Sequence, residues 1–160
     1  MPNWYVVYTY PKKEQKIYTD LIRQKVTTYL PLHKVVRRWS DRLKELTVPL
    51  FPNYIFVQIC DNQRVNVLRV AGVSRFIAFD GRPTIISDEE IEMIRRLENA
   101  PVEVEPRLIN GDRVQIMQGP FAGLEGVLFK KQGKERFGLR LDGLRQVLSI
   151  DICESLLKKL

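Results

Sequence analysis

The first 25 residues pair a short strand-like run with an amphipathic helix. Trp4 to Tyr8 is rich in β-branched and aromatic residues, which is typical of a strand. Pro11 then opens a segment with helical periodicity. Its apolar positions are Ile17, Tyr18, Leu21 and Ile22. At about 100° per residue, Lys12, Lys16 and Arg23 fall in one stripe opposite these apolar residues. The pattern predicts a helix that is buried on one side and basic on the other.

The next segment has high β-propensity and a polar centre. Thr28 to Val36 and Glu45 to Gln58 favour strands, and Arg37 to Lys44 connects them. This predicts an extended hairpin with a basic tip. Because two prolines in Leu46 to Asn53 cannot donate to a ladder, that stretch is expected to be irregular or at an edge. An apolar strand is expected at Tyr54 to Ile59.

Three further elements complete the first half of the pattern. Asp61 to Val70 predicts a short helix, and Arg75 to Phe79 predicts a strand that ends at a turn. Ser87 followed by Glu90 forms a capping box, which predicts the start of another helix. The buried stripe of this helix is Ile91, Ile94 and Leu97, and Pro101 is expected to stop it.

The remainder of the chain reads as a linker and a small β-domain. Residues 101–107 contain two prolines and alternating charges, which predicts a linker between a domain at 1–100 and a domain at 108–160. Glycines separate four short alternating runs in the second domain, a spacing typical of a small β-barrel. The runs are Arg113 to Met117, Gly126 to Lys130, Arg136 to Leu141 and Arg145 to Ile150.

The net charge and the cysteine content indicate which kind of partner and which cellular compartment to expect. The net charge is +7 and the pI about 9.5, with 17 basic and 13 acidic residues in 1–107 and 9 basic and 6 acidic in 108–160. This excess favours anionic partners such as nucleic acid. Cys60 and Cys153 lack the spacing of a disulfide framework or a zinc site, so a reducing cytoplasm and no metal or cofactor are expected. Without a signal peptide or a run of about 18 apolar residues, no membrane association is expected.

A glycine-rich motif opens the second domain. Between Gly111 and Val127, Val114 and Ile116 are expected to face the barrel interior at period two, and Phe121 is a large anchor in the turn. The stretch closely resembles the KOW motif. Any barrel of the SH3-like kind would share part of this pattern, which leaves that alternative open.

The first domain resembles the amino-terminal (NGN) domain of the NusG family. Its landmarks are Trp4 to Tyr8, Pro49 to Val57 and Gly72 to Phe76. The resemblance implies an α+β protein: an NGN α/β sandwich, with an antiparallel sheet flanked by helices, plus a carboxy-terminal SH3-like KOW β-barrel. It also implies a monomeric transcription elongation factor that suppresses pausing and termination. The sequence from Phe51 to Val57 is more similar to that of the RfaH and UpxY paralogues. These paralogues act on particular operons by recognising a leader sequence in the non-template DNA strand.

The resemblance further implies that the first domain docks on the clamp helices of RNA polymerase. The residues that match the docking patch are Tyr8, Phe51, Pro52 and Tyr54. Core packing is the alternative role for such residues. It is favoured for Phe56 and Val57, inside a strand, whereas an interface is favoured for Phe51, which lies beside a proline.

Contact with the displaced DNA strand is assigned to basic residues near the first helix. These are Lys12, Lys13, Lys16, Arg23 and Arg75, with Trp4 or Tyr5 available for stacking. A solvated helix face is an equal alternative. Tyr10 and Pro11 stand where the RfaH pattern has basic residues, and Asp20 where it has a histidine, so the recognised DNA is expected to differ.

Two other contacts of the family are less supported by the residues. Asp61 to Val70 lacks the His-Thr-Thr run implicated in bridging the polymerase cleft. For the hairpin tip, a solvated loop is favoured over a contact with upstream DNA.

In the family, the KOW domain recruits a small-subunit ribosomal protein or the termination factor Rho. The matching residues are Gly119, Pro120 and Phe121, although Phe121 could equally anchor its own turn. Some relatives refold this domain as helices. Six glycines, each costing about 1 kcal/mol in a helix interior, favour a resting β-barrel here. A ribosome- or RNA-binding KOW protein is the rival function. An enzyme is not expected, since His33 is the only histidine and no phosphate loop is present.

Overall fold

The computed structural model describes residues 1–98 and 100–160. Contacts between Cα atoms divide the chain into two compact units, Met1–Ile91 and Glu92–Leu160. Each unit has its own sheet. The domain boundaries at 1–100 and 108–160 stay a prediction.

The first unit is built on a five-stranded antiparallel sheet. Its strands, together with those of two small hairpins, are β1 (Asn3–Thr9), β2 (Thr27–Tyr29), β3 (Leu32–Trp39), β4 (Arg42–Pro49), β5 (Tyr54–Ile59), β6 (Val73–Phe76), β7 (Ala78–Phe79), β8 (Arg82–Pro83) and β9 (Ile85–Ile86). The order in the main sheet is β2-β5-β1-β6, and β9 also pairs with β1. β1, with its β-branched and aromatic residues, is therefore a central strand.

Two α-helices accompany this sheet, α1 (Glu14–Arg23) and α2 (Arg64–Leu68), and a third helix, α3 (Asp88–Leu97), spans the boundary between the two units. Ile17 and Leu21 of α1 are fully buried in one core cluster with Tyr5 and Val7 of β1. Side chains alternate across a strand, so Trp4, Val6 and Tyr8 of β1 lie on the opposite sheet face.

The predicted capping box starts α3. The backbone N–H of Glu90 donates to Ser87 Oγ at 3.1 Å, and the N–H of Ser87 donates to Glu90 Oε1 at 3.4 Å. Two donors that would lack partners at a helix start are thereby satisfied. The predicted stripe is also confirmed, because Ile91, Ile94 and Leu97 are buried.

β3 and β4 form a separate two-stranded hairpin. The polar connection expected over Arg37 to Lys44 is wrong, since the strands continue to Trp39 and resume at Arg42. Cross-strand pairs at Arg37–Lys44 and Trp39–Arg42 extend the ladder, and Lys44 Nζ lies 4.8 Å from the Trp39 ring centroid. Contacts between paired side chains favour continued strands over a loop.

The second unit is a six-stranded antiparallel sheet. Its strands are β10 (Glu103–Glu105), β11 (Asp112–Ile116), β12 (Glu125–Lys131), β13 (Lys134–Leu141), β14 (Gln146–Asp151) and β15 (Leu157–Lys159). The order is β10-β14-β13-β12-β11-β15. As predicted, Val114 and Ile116 face the interior, each with 1% of its surface exposed.

One strand lies in the segment expected to lack regular structure. Within residues 101–107, β10 pairs with β14. Lys131 Nζ lies 2.8 Å from Glu103 Oε2 and 2.8 Å from Glu105 Oε1, and the Ser149 hydroxyl donates to Glu105 at 3.1 Å. The hydrogen bond from Lys131 lowers the pKa of Glu103. These partners, distant in sequence, order a segment whose local pattern predicted an irregular linker.

Candidate functional site

Three side chains form a row across β5, β1 and β6. Tyr8 pairs in register with Tyr54 on one side and with Arg75 on the other. The two tyrosine rings meet edge to face, with centroids 5.9 Å apart and planes at 65°. The guanidinium carbon of Arg75 lies 4.6 Å from the Tyr8 ring centroid. Such contacts are stabilising and fix the rings, which remain partly exposed.

The turn that precedes Tyr54 is fastened at Asn53. Asn53 adopts φ of 73°, a left-handed conformation that asparagine tolerates better than most residues. Its backbone N–H donates to Glu14 Oε2 at 3.0 Å, and its side-chain amide donates to the Thr9 carbonyl at 3.0 Å. The Thr9 N–H donates back to the Asn53 carbonyl at 2.8 Å. These bonds tie the turn carrying exposed Pro52 to β1 and α1.

Phe51 differs from the other residues predicted for the docking patch. Its side chain is 2% exposed, and its ring lies 6.0 Å from that of the fully buried Phe56. Packing two rings together removes a large apolar area from water. This burial keeps the Phe51 ring in the core, although the turn that carries it is irregular. The preference for Phe51 as an exposed anchor is therefore corrected: its ring is part of the core. Phe56 and Val57 are in the core, as predicted.

The basic residues near α1 are exposed but do not form one helical stripe. Lys16 and Arg23 lie on the exposed side of α1. Lys12 precedes the helix with φ of 63°, and Lys13 is the N-cap residue. The prediction that Lys12 shares the helical stripe is wrong, because the first helical residue is Glu14.

Backbone bonds bring the start of α1 close to β6. The Tyr10 N–H donates to the Gly72 carbonyl at 2.9 Å, three residues before Arg75. Gly72 has φ of 96°, and a β-carbon there would lie 3.2 Å from Lys13 Cβ. Lys12, Lys13 and Arg75 are thereby placed near one end of the sheet. Arg23 lies at the other end of α1, about 14 Å along its axis.

The two rings suggested for base stacking are in the interior. Trp4 is 6% exposed, and its indole N–H donates to Asp88 Oδ1 at 3.1 Å. Tyr5 is 4% exposed, and its hydroxyl donates to Asp61 at 3.5 Å. Both are thus unavailable for stacking, because burying each ring while satisfying its polar atom stabilises the core.

The predicted partner-binding residues of the second unit lie in the turn between β11 and β12. Gly119 and Pro120 are exposed, whereas Phe121 is half-buried. Gly119 has φ of 92°, which favours glycine. The Leu124 N–H donates to the Phe121 carbonyl at 3.2 Å and closes the turn. Phe121 therefore contributes to packing and still presents part of its ring to solvent.

Glu14 and Asn53 were not identified from the sequence. Glu14 is 7% exposed although it stands in the first turn of a basic helix. The available signal was the Pro52-Asn53 dipeptide, which marks a turn where asparagine supplies a positive φ. The carboxylate partner, 39 residues away in the chain, had no local signal.

Comparison with known proteins identifies the family. Residues 2–95 match the family model described as "Transcription termination factor nusG". This match covers more than half of the chain. The chain belongs to the NusG family.

Relatives of known name agree with this assignment. The chain is 31% identical over 150 residues to the transcription termination/antitermination protein NusG of Borreliella burgdorferi, covering 78% of this chain and 80% of the relative. It is 27% identical over 167 residues to the protein of the same name from Streptococcus pyogenes, covering 94% and 93%.

A solved structure described as "Domain interaction in Thermotoga maritima NusG" matches 100% of this chain and 98% of its own, at 25% identity and a TM-score of 0.58. The predicted fold class, an NGN α/β domain followed by a carboxy-terminal β-domain, is confirmed.

Two further features concern residues 1–98 and 100–160. No group of three or more His, Cys, Asp or Glu side chains there is arranged to hold a metal ion. No helix in the same residues is long and apolar enough to span a membrane.

Proposed function

We propose that this NusG-family protein is a transcription elongation factor that binds RNA polymerase and suppresses pausing and termination. The names of the family model and of the relatives support a role in transcription. The observation that carries the proposal is the fixed, partly exposed aromatic surface formed by Tyr8, Tyr54 and Pro52. We define these three residues as the aromatic patch.

The aromatic patch has the properties of a protein interface. A few desolvated rings carry most of the binding energy in such interfaces, and rings already held in place lose little entropy on binding. Arg75 and Asn53 hold this patch in position. By the resemblance to the family, the partner is the pair of clamp helices in the largest polymerase subunit.

The test is the affinity for purified RNA polymerase of the Tyr8→Ala, Tyr54→Ala double variant. Two interface rings worth about 2 kcal/mol each imply a loss of roughly 1,000-fold. Tyr10→Ala is the matched control, since Tyr10 is 56% exposed and lies outside the patch. Unchanged affinity of the folded double variant, or an equal loss in the control, would show that the aromatic patch is not part of the interface with RNA polymerase.

We further propose that the protein is operon-specific, as RfaH and UpxY are, and contacts the non-template strand. The contacting residues are Lys12, Lys13, Lys16, Arg23 and Arg75. Their exposure and positive charge support phosphate contacts. We expect most of the contact from Lys12, Lys13 and Arg75, which lie near one end of the sheet.

Crosslinking to the non-template strand of a stalled elongation complex tests this assignment. Replacing Lys12, Lys13 and Lys16 by Gln, which leaves Arg75 and the aromatic patch intact, should weaken crosslinking and lower its salt dependence by about 0.7 per lost phosphate contact. Replacing Lys130, Lys134 and Lys158 by Gln removes the same charge from the second unit as a control. Equal effects of both triple variants would indicate net charge rather than a site.

The second unit is proposed to recruit a further partner through Gly119, Pro120 and Phe121. A small-subunit ribosomal protein and Rho are the candidates that the family implies, and the half-buried ring of Phe121 supports a contact there. Affinity capture after nuclease treatment distinguishes them. Recovery of ribosomes without any RNA polymerase would overturn the proposed function and favour a ribosome-binding protein.

A further inference from the structure

β10 is attached to the second unit by a short ladder. It lies at the edge of the sheet and pairs with β14 over three residues. Beyond β10, the chain is fixed again at Ile109, which packs against a buried cluster that contains Phe129. We call the intervening residues 103–108 the strap. Short edge segments open locally at a lower free energy than inner strands do, because they make few backbone hydrogen bonds.

The two carboxylates of β10 share one ammonium group. Glu103 and Glu105 are two residues apart and therefore lie on the same face of the strand. Lys131 Nζ is 2.8 Å from Glu103 Oε2 and 2.8 Å from Glu105 Oε1. Lys131 is the last residue of β12, which is separated from β10 by two strands in the order of the sheet. A single side chain thus links the edge strand to an inner strand.

Glu105 depends on this ammonium group more than Glu103 does, because Glu105 is buried. The Ser149 hydroxyl donates to Glu105 at 3.1 Å and accepts a hydrogen bond from Arg136 Nε, also at 3.1 Å. The guanidinium of Arg136 is itself paired with Asp151 at 2.8 Å and lies 3.9 Å from Glu103. Burying a carboxylate has a desolvation cost that its partners must offset, so without Lys131 the charge of Glu105 would be poorly compensated.

The ion pairs of the strap are accessible to water and salt. The side chain of Lys131 is 36% exposed, and that of Glu103 is 53% exposed. Ion pairs with this exposure are screened by salt and contribute little net free energy. By contrast, β13 has eight residues and pairs with β12 on one side and β14 on the other. The strap is therefore held much more weakly than the strands inside the sheet.

We propose that the strap detaches from β14 while the rest of the sheet stays formed, and that Lys131 holds it closed. Release adds residues 103–108 to the free chain between α3 and the fixed end at Ile109. At roughly 3.3–3.6 Å per extended residue, the added length is about 20 Å. The strap therefore sets the reach of the chain between the two units. This inference does not rest on the proposed function.

Two measurements on the full chain detect release of the strap. Hydrogen exchange reports on the backbone amides of β10, with those of β13 as an internal reference. Trypsin cleavage after Arg107, an exposed residue within the strap, reports on the same opening, because a protease must bind an extended stretch of chain. Mass spectrometry separates this cleavage from cleavage at other sites.

Two matched pairs of variants isolate the charges of the strap. Lys131→Gln is compared with Lys130→Gln, which removes the same charge from the opposite face of β12. Glu103→Gln is compared with Glu125→Gln, which breaks the 3.7 Å pair between Arg113 and Glu125 in the same unit.

In the wild type, the amides of β10 should exchange roughly tenfold faster than those of β13, or more. Lys131→Gln should raise β10 exchange and Arg107 cleavage about tenfold, because both rates follow the population of the open strap. Glu103→Gln should raise them severalfold, and the two control variants should change them little. Adding Glu105→Gln to Lys131→Gln should recover part of the change, since no buried carboxylate is then left without its cation.

The reach of the chain is measured with spin labels on Cys60 and Cys153, because each unit contains one of these cysteines. In Lys131→Gln, the distances between the labels should extend beyond those of the wild type by up to about 20 Å. In Lys130→Gln, they should match the wild type.

Three results would overturn the proposal. They are exchange of β10 as slow as that of β13 in the wild type, equal cleavage rates in the Lys131 and Lys130 variants, and label distances in Lys131→Gln that match the wild type. None of these measurements uses RNA polymerase, so their outcome is separate from the test of the aromatic patch.

Discussion

Substitutions of Asn53 should affect both the stability of the first unit and the aromatic patch. We compare Asn53→Ala with Asn53→Gly. Both lose the bond from the side-chain amide to the Thr9 carbonyl, which is 3.0 Å long and worth about 1 kcal/mol. Alanine also tolerates φ of 73° less well than asparagine does, at a cost of about 1 kcal/mol, whereas glycine has no β-carbon and avoids that cost.

The expected losses in free energy of unfolding are therefore about 2 kcal/mol for Asn53→Ala and about 1 kcal/mol for Asn53→Gly. Urea denaturation followed by tryptophan fluorescence measures them. Both tryptophans, Trp4 and Trp39, belong to the unit Met1–Ile91, so the signal reports that unit alone. In thermal unfolding, the alanine variant should melt roughly 10 °C lower than the wild type.

The order of the two variants decides whether this reasoning is right. Equal losses in the two variants would show that the left-handed backbone at residue 53 adds no cost for alanine. No loss in either variant would show that the bond to Thr9 does not fasten the turn. The alanine variant should also bind RNA polymerase less tightly, because the turn carrying Pro52 is loosened.

Three further predictions concern single groups. Glu14→Ala, which leaves the Asn53 N–H without its acceptor, should destabilise the first unit by about 1–3 kcal/mol in the same urea assay, and Glu14→Gln by less. Gly138→Ala should lower the calorimetric melting temperature of the second unit, because its β-carbon would lie 2.7 Å from the Val147 side chain. Hydrogen bonds from Ser155 lower the pKa of the exposed Cys153 thiol, so Ser155→Ala should slow its alkylation near neutral pH.

Elements with strong local signals were predictable from the sequence. The strand expected at Tyr54 to Ile59 has those bounds in the structure, because an apolar β-branched run is set off by the turn residues before it. The start of α3 was equally clear, since Ser87 and Glu90 satisfy each other's backbone donors within one turn.

Elements that depend on distant partners were not predictable in this way. β10 and β15 have three residues each. β10 is held in strand conformation by pairing with β14, and β15 by pairing with β11. The same holds for burial. Phe51 and Trp4 were assigned to exposed roles because their neighbours in sequence gave no sign of Phe56 or Asp88, which enclose them in the fold.

The candidate site was predictable in residue type more than in arrangement. Tyr8, Tyr54 and Arg75 were each singled out by the sequence, but their alignment across three strands follows from the register of β5, β1 and β6. Lys12 was placed on a helix that begins two residues later.

The proposed function requires that the protein acts on elongating RNA polymerase through the aromatic patch. The most direct measurement is single-round transcription in vitro through a leader that contains a pause and a terminator, with wild type or the Tyr8→Ala, Tyr54→Ala variant. Wild type should shorten the pause and raise read-through, and the folded double variant should do neither. If wild-type protein left pause lifetimes and read-through unchanged on leaders where polymerase binding is verified, the proposed function would be wrong.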